Sequence, residues 1–353
     1  MESLRVLITG CGAPGIKGTI FSLKNNFDGR KIEIIGTDIV DEVVGKYLCD
    51  KYCKIPKATD TQNYLETLLR ISDKEKVDVL IPQNTAELSV LALNKQDFNQ
   101  AGTSIIVSDK DAINIANNKF ELMKICKEIN VPACRFWLVN TFDEMIGYAT
   151  DLGWPENRVV VKPPVSNGLR GVRIIDEHID LKEAYYNEKP NSLNIKMEDL
   201  KKILGSEFPE LIVTEYLPGD EYTIDVLSTS KATVVIPRKR DLIRSGITFN
   251  GTTEYNEELI EYSKKLSDRI DLEFCFGFQF RLDDNGTPKI LECNPRVQGT
   301  MVLATFAGAN IIYGAVKSAL GEEMPTFDIK WGTKIFRYWG GISVYNNQIL
   351  SNL

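Results

Sequence analysis

A single histidine, His178, is present in 353 residues. That scarcity excludes imidazole-rich metal centres and leaves at most one candidate for a Ser-His or Cys-His nucleophile system. His178 itself lies in the charged stretch DEHIDLKEA, where a surface position is expected. The seven cysteines (Cys11, Cys49, Cys53, Cys126, Cys134, Cys275 and Cys293) are odd in number and scattered, with no CxxC pair. They predict a disulfide-free chain in a reducing, cytoplasmic compartment. There is no excess of basic residues: the net charge is -7, which argues against nucleic acid as the main partner because phosphate-backbone binding needs a basic face. The opening MESLRVLITG lacks a signal-peptide pattern and reads directly as a strand. One run, Val297 to Val316, carries no formal charge and must be weighed as a membrane span. It contains Gln298, Asn310 and three glycines, with a break at Ala307–Asn310, so a buried helix pair is the expectation and no membrane is predicted.

What is present is an ordinary soluble composition, 43% hydrophobic and 26% charged, long enough for two or three domains. Neither internal repeats nor low-complexity tracts occur. Up to about residue 115 strand and helix patterns alternate: strands at Leu4–Thr9, Lys31–Ile35, Val77–Ile81 and Ser104–Val107, helices at Ile16–Asn25, Thr61–Lys76 and Ala86–Phe98. Such a βαβ order implies a parallel sheet covered by helices. The first turn, Gly10-Cys11-Gly12-Ala13-Pro14-Gly15, matches G-x-G-x-x-G between a strand and a helix, and Asp38 ends the next strand. On this turn alone a nucleotide cofactor is favoured, with a tight βα turn that binds nothing as the alternative.

Beyond residue 115 the pattern changes. A helix is predicted over Asn118–Ile129, a short strand in VPACRFWLV, and a helix over Thr141–Leu152 with Thr141 as its N-cap. RVVVKPPVSNGLRGVRII reads as strand, loop, strand. Lys162 ends the first strand, and Ser166-Asn167-Gly168-Leu169-Arg170-Gly171 forms a small-residue basic loop that can offer backbone N–H groups to phosphate and close as a lid. A plain hairpin turn fits that loop equally well. Residues 176–209 are predicted charged and helical, with GSEFPE as an exit loop. LIVTEYLPGDEYTIDVL reads as strand, Pro-Gly turn, strand, continued by ATVVIP into one antiparallel sheet. Glu215 and Glu221 flank the turn, where a carboxylate can accept from a ribose and the peptide at Tyr216–Leu217 can pair with an adenine edge. Arg238, Lys239, Arg240 and Arg244 suggest an anionic ligand, although a solvated charge run is the commoner cause of such a cluster. Glu254–Ile270 follows as an amphipathic helix, and the tail TKIFRYWGGISVYNNQIL as a strand pair.

The most informative stretch runs from Gly277 to Thr300. FCFGFQFRL, a turn DDNGTP and KILECN form a predicted hairpin in which Phe274, Phe276, Phe278, Phe280 and Leu282 share one face. Cys275, Gly277, Gln279 and Arg281 share the other, and Glu292 and Asn294 lie two apart on the returning strand. In a simple register Gln279, Glu292 and Asn294 converge as oxygen donors suited to Mg²⁺, with Arg296 placed to meet a phosphate. Taken alone, this stretch also fits an amphipathic hairpin with solvated polar residues.

Taken in order, an N-terminal Rossmann-like domain, Lys119 early in a helix, VVVKPP, SNGLRG, VTEYLPGDEYTIDV and Q…ECNPR resemble the ATP-grasp superfamily over nearly the whole chain. Within it the chain resembles a single unit of the carbamoyl-phosphate-synthase large-subunit type, on account of Gln279 and the phrase ECNPRVQGT. The resemblance implies an α/β and α+β architecture. A Rossmann-like pre-ATP-grasp domain would span 1–115, and an ATP-grasp domain 116–353 with a lid subdomain over about 155–217. It also implies ATP and Mg²⁺ (or Mn²⁺) as cofactors. Lys119 and Lys162 would meet the phosphates, Ser166–Gly171 would form the lid, and Glu215, Tyr216 and Leu217 would meet the adenine. Glu221 would take the ribose, and Gln279, Glu292 and Asn294 the metal. Arg296, with Lys162 and Asn294, would stabilise the phosphoryl group in flight.

The activity implied is a carboxylate–amine (or carboxylate–thiol) ligase working through an acyl phosphate. Its small-molecule acceptor would enter beside Arg240, Arg244 and Arg296, in the cleft between the antiparallel sheet of 211–294 and the lid hairpin of 158–175. A homodimer is the family's habit. Carbamoyl phosphate synthetases carry two such units, and a further arginine follows their NPR motif where this chain has Gly299. A carbamoyl-phosphate-synthase-like phosphorylating enzyme is therefore the alternative. An oxidoreductase using NAD on Gly10, Gly12, Gly15 and Asp38, or a non-catalytic nucleotide sensor, are the remaining rivals.

Overall fold

The computed structural model describes residues 3–166, 168–187 and 193–352. The chain begins with β1 (Leu4–Ile8), α1 (Ile16–Lys24), β2 (Ile32–Asp38), β3 (Lys51–Lys54), α2 (Thr61–Glu75) and β4 (Val79–Ile81), of which only the short edge strand β3 is not foreseen. α3 (Thr85–Leu93), α4 (Lys95–Gln100), β5 (Ser104–Ile105) and α5 (Lys110–Asn117) follow. The single helix expected over Ala86–Phe98 is two, because Asn94 breaks it with a non-helical backbone and its side chain returns to the Val90 carbonyl. The five strands form a parallel sheet in the order β3-β2-β1-β4-β5.

Next come α6 (Lys119–Glu128), β6 (Phe136–Thr141), α7 (Phe142–Asp151), β7 (Val159–Lys162), β8 (Arg173–Ile175), α8 (Leu181–Asn187), β9 (Asn194–Ile195), α9 (Met197–Leu204) and β10 (Glu207–Glu215). Thr141 caps α7, accepting from the Glu144 N–H while Glu144 reaches back to the Thr141 N–H. The last part holds β11 (Glu221–Ser228), β12 (Thr233–Arg244), β13 (Ile247–Thr253), α10 (Glu257–Ile270), β14 (Phe274–Leu282) and β15 (Pro288–Asn294). It ends with α11 (Val302–Phe306), α12 (Ile311–Ala319), β16 (Lys334–Phe336) and the tail hairpin β17 (Ile342–Tyr345) and β18 (Gln348–Asn352). α11 and α12 are the buried helix pair expected from the uncharged run, and among the described residues no helix is long and apolar enough to cross a membrane.

Two expectations are corrected. GSEFPE is not an exit loop, since β10 starts at Glu207 and pairs with β6. Nor do the strands either side of Pro218-Gly219 pair as a hairpin. β10 lies in the sheet β6-β10-β7-β8-β9, whereas β11 lies in the sheet β15-β14-β11-β12-β13-β16. The cause is local. The Gly219 N–H donates to the Leu282 carbonyl at 3.0 Å, and a Cβ at Gly219 would stand 2.7 Å from that of Leu282, so the turn packs flat on a distant strand rather than closing on itself.

The chain divides into two compact units. One comprises residues 1–116, 222–278 and 293–353, and the other residues 117–221 and 279–292. In the first, strand alternation sends Val6 and Ile8 into a core shared with α12, Leu227, Ile236 and Cys275, while Leu7 enters a second core with Tyr64, Leu68, Leu88 and Phe98. β1 is therefore apolar on both faces, as a central parallel strand must be. The second unit has its own core, built on Val139, Phe142, Met145, Val159, Val161, Leu200 and Val213.

In the first unit the backbone of Gly15 lies directly against that of Gly299: a Cβ on Gly15 would stand 2.5 Å from the Gly299 Cα. The obstacle is main chain and cannot swing aside. Gly15→Ala is expected to destabilise the protein by about 1–3 kcal/mol, read as a lower urea midpoint; an unchanged midpoint would show that this contact has slack.

Candidate functional site

The second unit gathers most of the residues singled out from sequence. Lys162 ends β7, opposite Ile212 of β10, and its side chain is buried, with only a long contact (3.4 Å) from Nζ to the Leu291 carbonyl. Burial holds its ammonium below the ordinary lysine range, and the nearby charge of Lys119 pushes the same way. Lys119 opens α6, where Asn118 caps the helix by accepting from the Phe120 and Glu121 N–H groups. Its Nζ donates to the Ser166 carbonyl at 2.8 Å and lies 3.3 Å from the Ser166 hydroxyl and 3.5 Å from Glu292 Oε2. Its own N–H donates to the Pro164 carbonyl. Two buried lysines and one carboxylate thus meet at the root of the β7–β8 loop.

That loop leaves β7, returns antiparallel as β8 and is exposed from Gly168 to Gly171. Gly168 and Gly171 have φ of 62° and 74°, the left-handed region glycine reaches without strain, and Leu169 also lies there at 63°. Asn167 lies outside the described residues.

The segment after β10 is held from three sides. Glu215 Oε1 accepts from the Arg135 N–H at 3.0 Å and from Lys289 Nζ at 2.8 Å, so its carboxylate is a structural clasp. Its Oε2 lies 3.7 Å from Arg135 Nε. The Arg158 guanidinium stacks 4.0 Å from the Tyr216 ring centroid, and that of Arg281 lies 5.7 Å from the same ring. Leu217 is buried, and Glu221 lies 3.9 Å from Arg281 Nη1. Gln279, half-buried on β14, belongs to this unit with Glu292. Both carry hard oxygen donors of the kind Mg²⁺ takes beside water and phosphate, and among the described residues no group of three His, Cys, Asp or Glu side chains could hold a metal ion.

In the first unit Arg296 is fixed at every nitrogen: Nε donates to Thr85 Oγ1 at 3.1 Å, Nη1 to the Val297 carbonyl at 3.1 Å and Nη2 to Asn294 Oδ1 at 3.3 Å. Asn294 and Arg296 are thus brought together. Arg240 and Arg244 are instead held within their own hairpin, β12–β13. Arg240 donates to Thr248 Oγ1 (2.9 Å) and the Gly246 carbonyl (2.6 Å), and Arg244 lies over the Phe249 ring.

The glycine-rich first turn is occupied by its own chain. The Gly12 N–H donates to Asp38 Oδ2 at 2.7 Å, and Gly15 faces Gly299. Glycine is required there for self-packing, and Asp38 is engaged with the turn, so the G-x-G-x-x-G spacing needs no dinucleotide to explain it.

Sequence reasoning missed Arg135, Arg158 and Lys289, which come from separate segments and acquire meaning only once folding brings them to Glu215 and Tyr216.

A family model described as ATP-grasp in the biosynthetic pathway with Ter operon matches residues 207–335, and one described as PylC-like, N-terminal domain, matches residues 6–106. The carbamoyl phosphate synthase large chain of Clostridium acetobutylicum is 21% identical over 305 residues, covering 82% of this chain and 27% of that protein. The chain thus spans about a quarter of the length of the curated relatives it matches. Among solved structures, the biotin carboxylase of Campylobacter jejuni in a β,γ-ATP complex superposes with a TM-score of 0.67 at 18% identity, over 92% of this chain and 72% of the other. The biotin carboxylase domain of Hydrogenobacter thermophilus 2-oxoglutarate carboxylase, with MgADP and bicarbonate, gives 0.67 at 15% identity, over 95% and 74%. Family models at both ends, relatives across the middle and the fold throughout agree: the chain is similar to ATP-grasp proteins over nearly its whole length.

Proposed function

We propose that this protein is an ATP- and Mg²⁺-dependent ligase that joins a carboxylate to an amine or thiol through an acyl phosphate, releasing ADP and phosphate. The observation that carries the reading is the grouping of Lys119, Lys162 and Glu292 at the foot of a glycine-containing loop. Lysine ammonium groups this sheltered from water suit an anionic ligand, and a phosphate tail is the ligand such a loop cradles. The two ammonium groups bind and neutralise the β- and γ-phosphates. Ser166, Gly168 and Gly171 close over them. The main chain at Glu215, Tyr216 and Leu217 orients the adenine and Glu221 the ribose. Glu292, with Gln279 and Asn294, would hold Mg²⁺, which supplies charge neutralisation and in-line alignment of the phosphates.

The chemistry needs placement and charge stabilisation more than a protein nucleophile, in keeping with a chain nearly devoid of histidine. A carboxylate oxygen attacks the γ-phosphorus and ADP leaves. The amine nitrogen then attacks the acyl carbon, phosphate leaves and the nitrogen gives up its proton. Arg296, held by Thr85, Val297 and Asn294 within its own unit, would in this reading stabilise the charge that builds on the phosphoryl oxygens.

The direct test is an ADP-release screen of carboxylates, bicarbonate included, crossed with amines and thiols, with Glu292→Ala as blank. One pairing should give turnover above that blank, and Lys119→Met and Arg296→Ala should each lower it by on the order of 10²–10³. No pairing above the blank would remove the ligase reading. Saturable NADH binding lost in Asp38→Ala would favour an oxidoreductase in its place.

Lys162 adds a second, independent expectation. Its folded pKa lies below the ordinary 10.5, so its burial penalty is fully present below the folded value and disappears as pH rises through that value towards 10.5. Lys162→Met should therefore be inactive yet more stable at pH 7 by about 1–4 kcal/mol in urea unfolding. The gain should shrink towards pH 10; a gain that does not change with pH would disprove a buried charge at this position.

A further inference from the structure

Cys11 sits in the first turn and Cys49 in the connection from β2 to β3, and their two sulfurs meet over the middle of β2. A Cβ on Gly36 would stand 2.5 Å from Cys49 Sγ and 3.0 Å from Cys11 Sγ, so both sulfurs border the space that one methyl group would fill. Gly36 lies inside the parallel sheet, opposite Ile8 of β1 and Tyr52 of β3. Glycine there weakens the strand and marks a place where another group comes close. A second glycine serves the same pair: Gly45, in the short 3₁₀ turn Val44–Tyr47, leaves room for the Cβ of Cys11, which one of its own would overlap.

The main chain fixes both residues against β2. The Cys11 N–H donates to the Thr37 carbonyl at 3.1 Å, and the Cys11 carbonyl accepts from the Gly45 N–H at 3.2 Å. The Cys49 N–H donates to the Gly45 carbonyl and the Asp50 N–H to the Ile34 carbonyl, each at 3.0 Å. Cys11 is fully buried; the hydrogen bond it shares with Cys49, and after that burial, push its thiol up. Cys49 is half-buried, so it is the member of the pair that a small reagent reaches. All seven cysteines are free thiols, and Cys126, Cys134, Cys275 and Cys293 are buried. Cys53 is half-buried but packs against the core of Leu7, whereas Cys49 packs against that of Val6 and Ile8.

We propose that Cys11 and Cys49 form a reversible redox pair, a modification site that closes to a disulfide and ties the glycine-rich first turn to the β2–β3 connection. The proposal does not depend on the ligase reading. Its oxidant is a low-molecular-weight disulfide. The Cys49 thiolate attacks one sulfur of that reagent, the reagent's S–S bond breaks, and the leaving thiolate takes up the proton that Cys49 has lost. Cys11 Sγ then attacks Cys49 Sγ, displaces the second half of the reagent and gives it its own proton. Two protein thiols are oxidised and one reagent disulfide is reduced to two thiols. Cys11 takes the resolving role because it is shielded from the reagent yet adjoins the sulfur that the reagent has reached.

The test holds the full chain in mixtures of glutathione and glutathione disulfide, traps the remaining thiols with iodoacetamide and maps the tryptic peptides. Cleavage after Arg5, Lys17, Lys46, Lys51 and Lys54 puts Cys11, Cys49 and Cys53 on separate peptides. The wild type should give one cross-link, joining residues 6–17 to residues 47–51 and opened by dithiothreitol. Diluting both forms of glutathione tenfold at constant proportion should raise the ratio of disulfide to dithiol about tenfold, because closing the bond releases two thiols; a mixed disulfide would not respond. Cys11→Ser should stop at a glutathione adduct on Cys49, and Cys53→Ser should oxidise as the wild type does. A Cys49–Cys53 link, a lasting adduct on Cys49 in the wild type, or free thiols at Cys11 and Cys49 in the most oxidising mixture would each overturn the proposal. The wild-type map decides the matter even where Cys11→Ser fails to fold.

Discussion

A single ammonium group organises the proposed nucleotide-binding unit. Lys119 Nζ donates to the Ser166 carbonyl and lies beside Glu292 Oε2, and its own N–H holds the Pro164 carbonyl. One residue thus fixes the start of the β7–β8 loop in relation to the carboxylate of β15. The loop beyond is exposed and glycine-containing, so its root is rigid while its tip is not packed. In the proposed reading, a loop that admits a phosphate tail and then covers it would need that division. A cation placed at the hinge can exchange a carbonyl and a carboxylate for phosphate oxygens without moving its backbone.

Lys162 shows what such a site demands of stability. A strand of three valines buries well, and ending it with a lysine that makes no ion pair within 4 Å among the described residues is poor design for folding alone. The residue makes sense if the same burial that disfavours its charge in the ligand-free protein strengthens its attraction for a polyanion. The buried ion pair of Arg238 and Asp225 is of another kind, internally neutral and geometrically fixed.

Much of this was legible in the sequence because it depends on local pattern. The phenylalanine alternation of β14, the Thr141 cap and the break in the uncharged run at Ala307–Asn310 each follow from residues close together in the chain. The ordered ATP-grasp motifs carried the family. What was not legible depends on distant partners. Pro218-Gly219 looks like a hairpin turn until Leu282 is seen to receive it, and Glu215 looks like a ribose ligand until Arg135 and Lys289 claim its carboxylate. The glycine spacing of the first turn is the plainest case. Gly12 and Gly15 satisfy a dinucleotide pattern, yet the approach they permit is that of Asp38 and Gly299.

That last contact reaches further than the turn. Gly15 touches Gly299, and the core on one side of the parallel sheet is completed by Leu227, Ile236, Cys275 and the helix Ile311–Ala319. A fragment ending at residue 116 would carry a βαβ topology with one greasy face open to water. Recombination could not lift the N-terminal third out as a self-sufficient cassette, so its inheritance is tied to that of the C-terminal third.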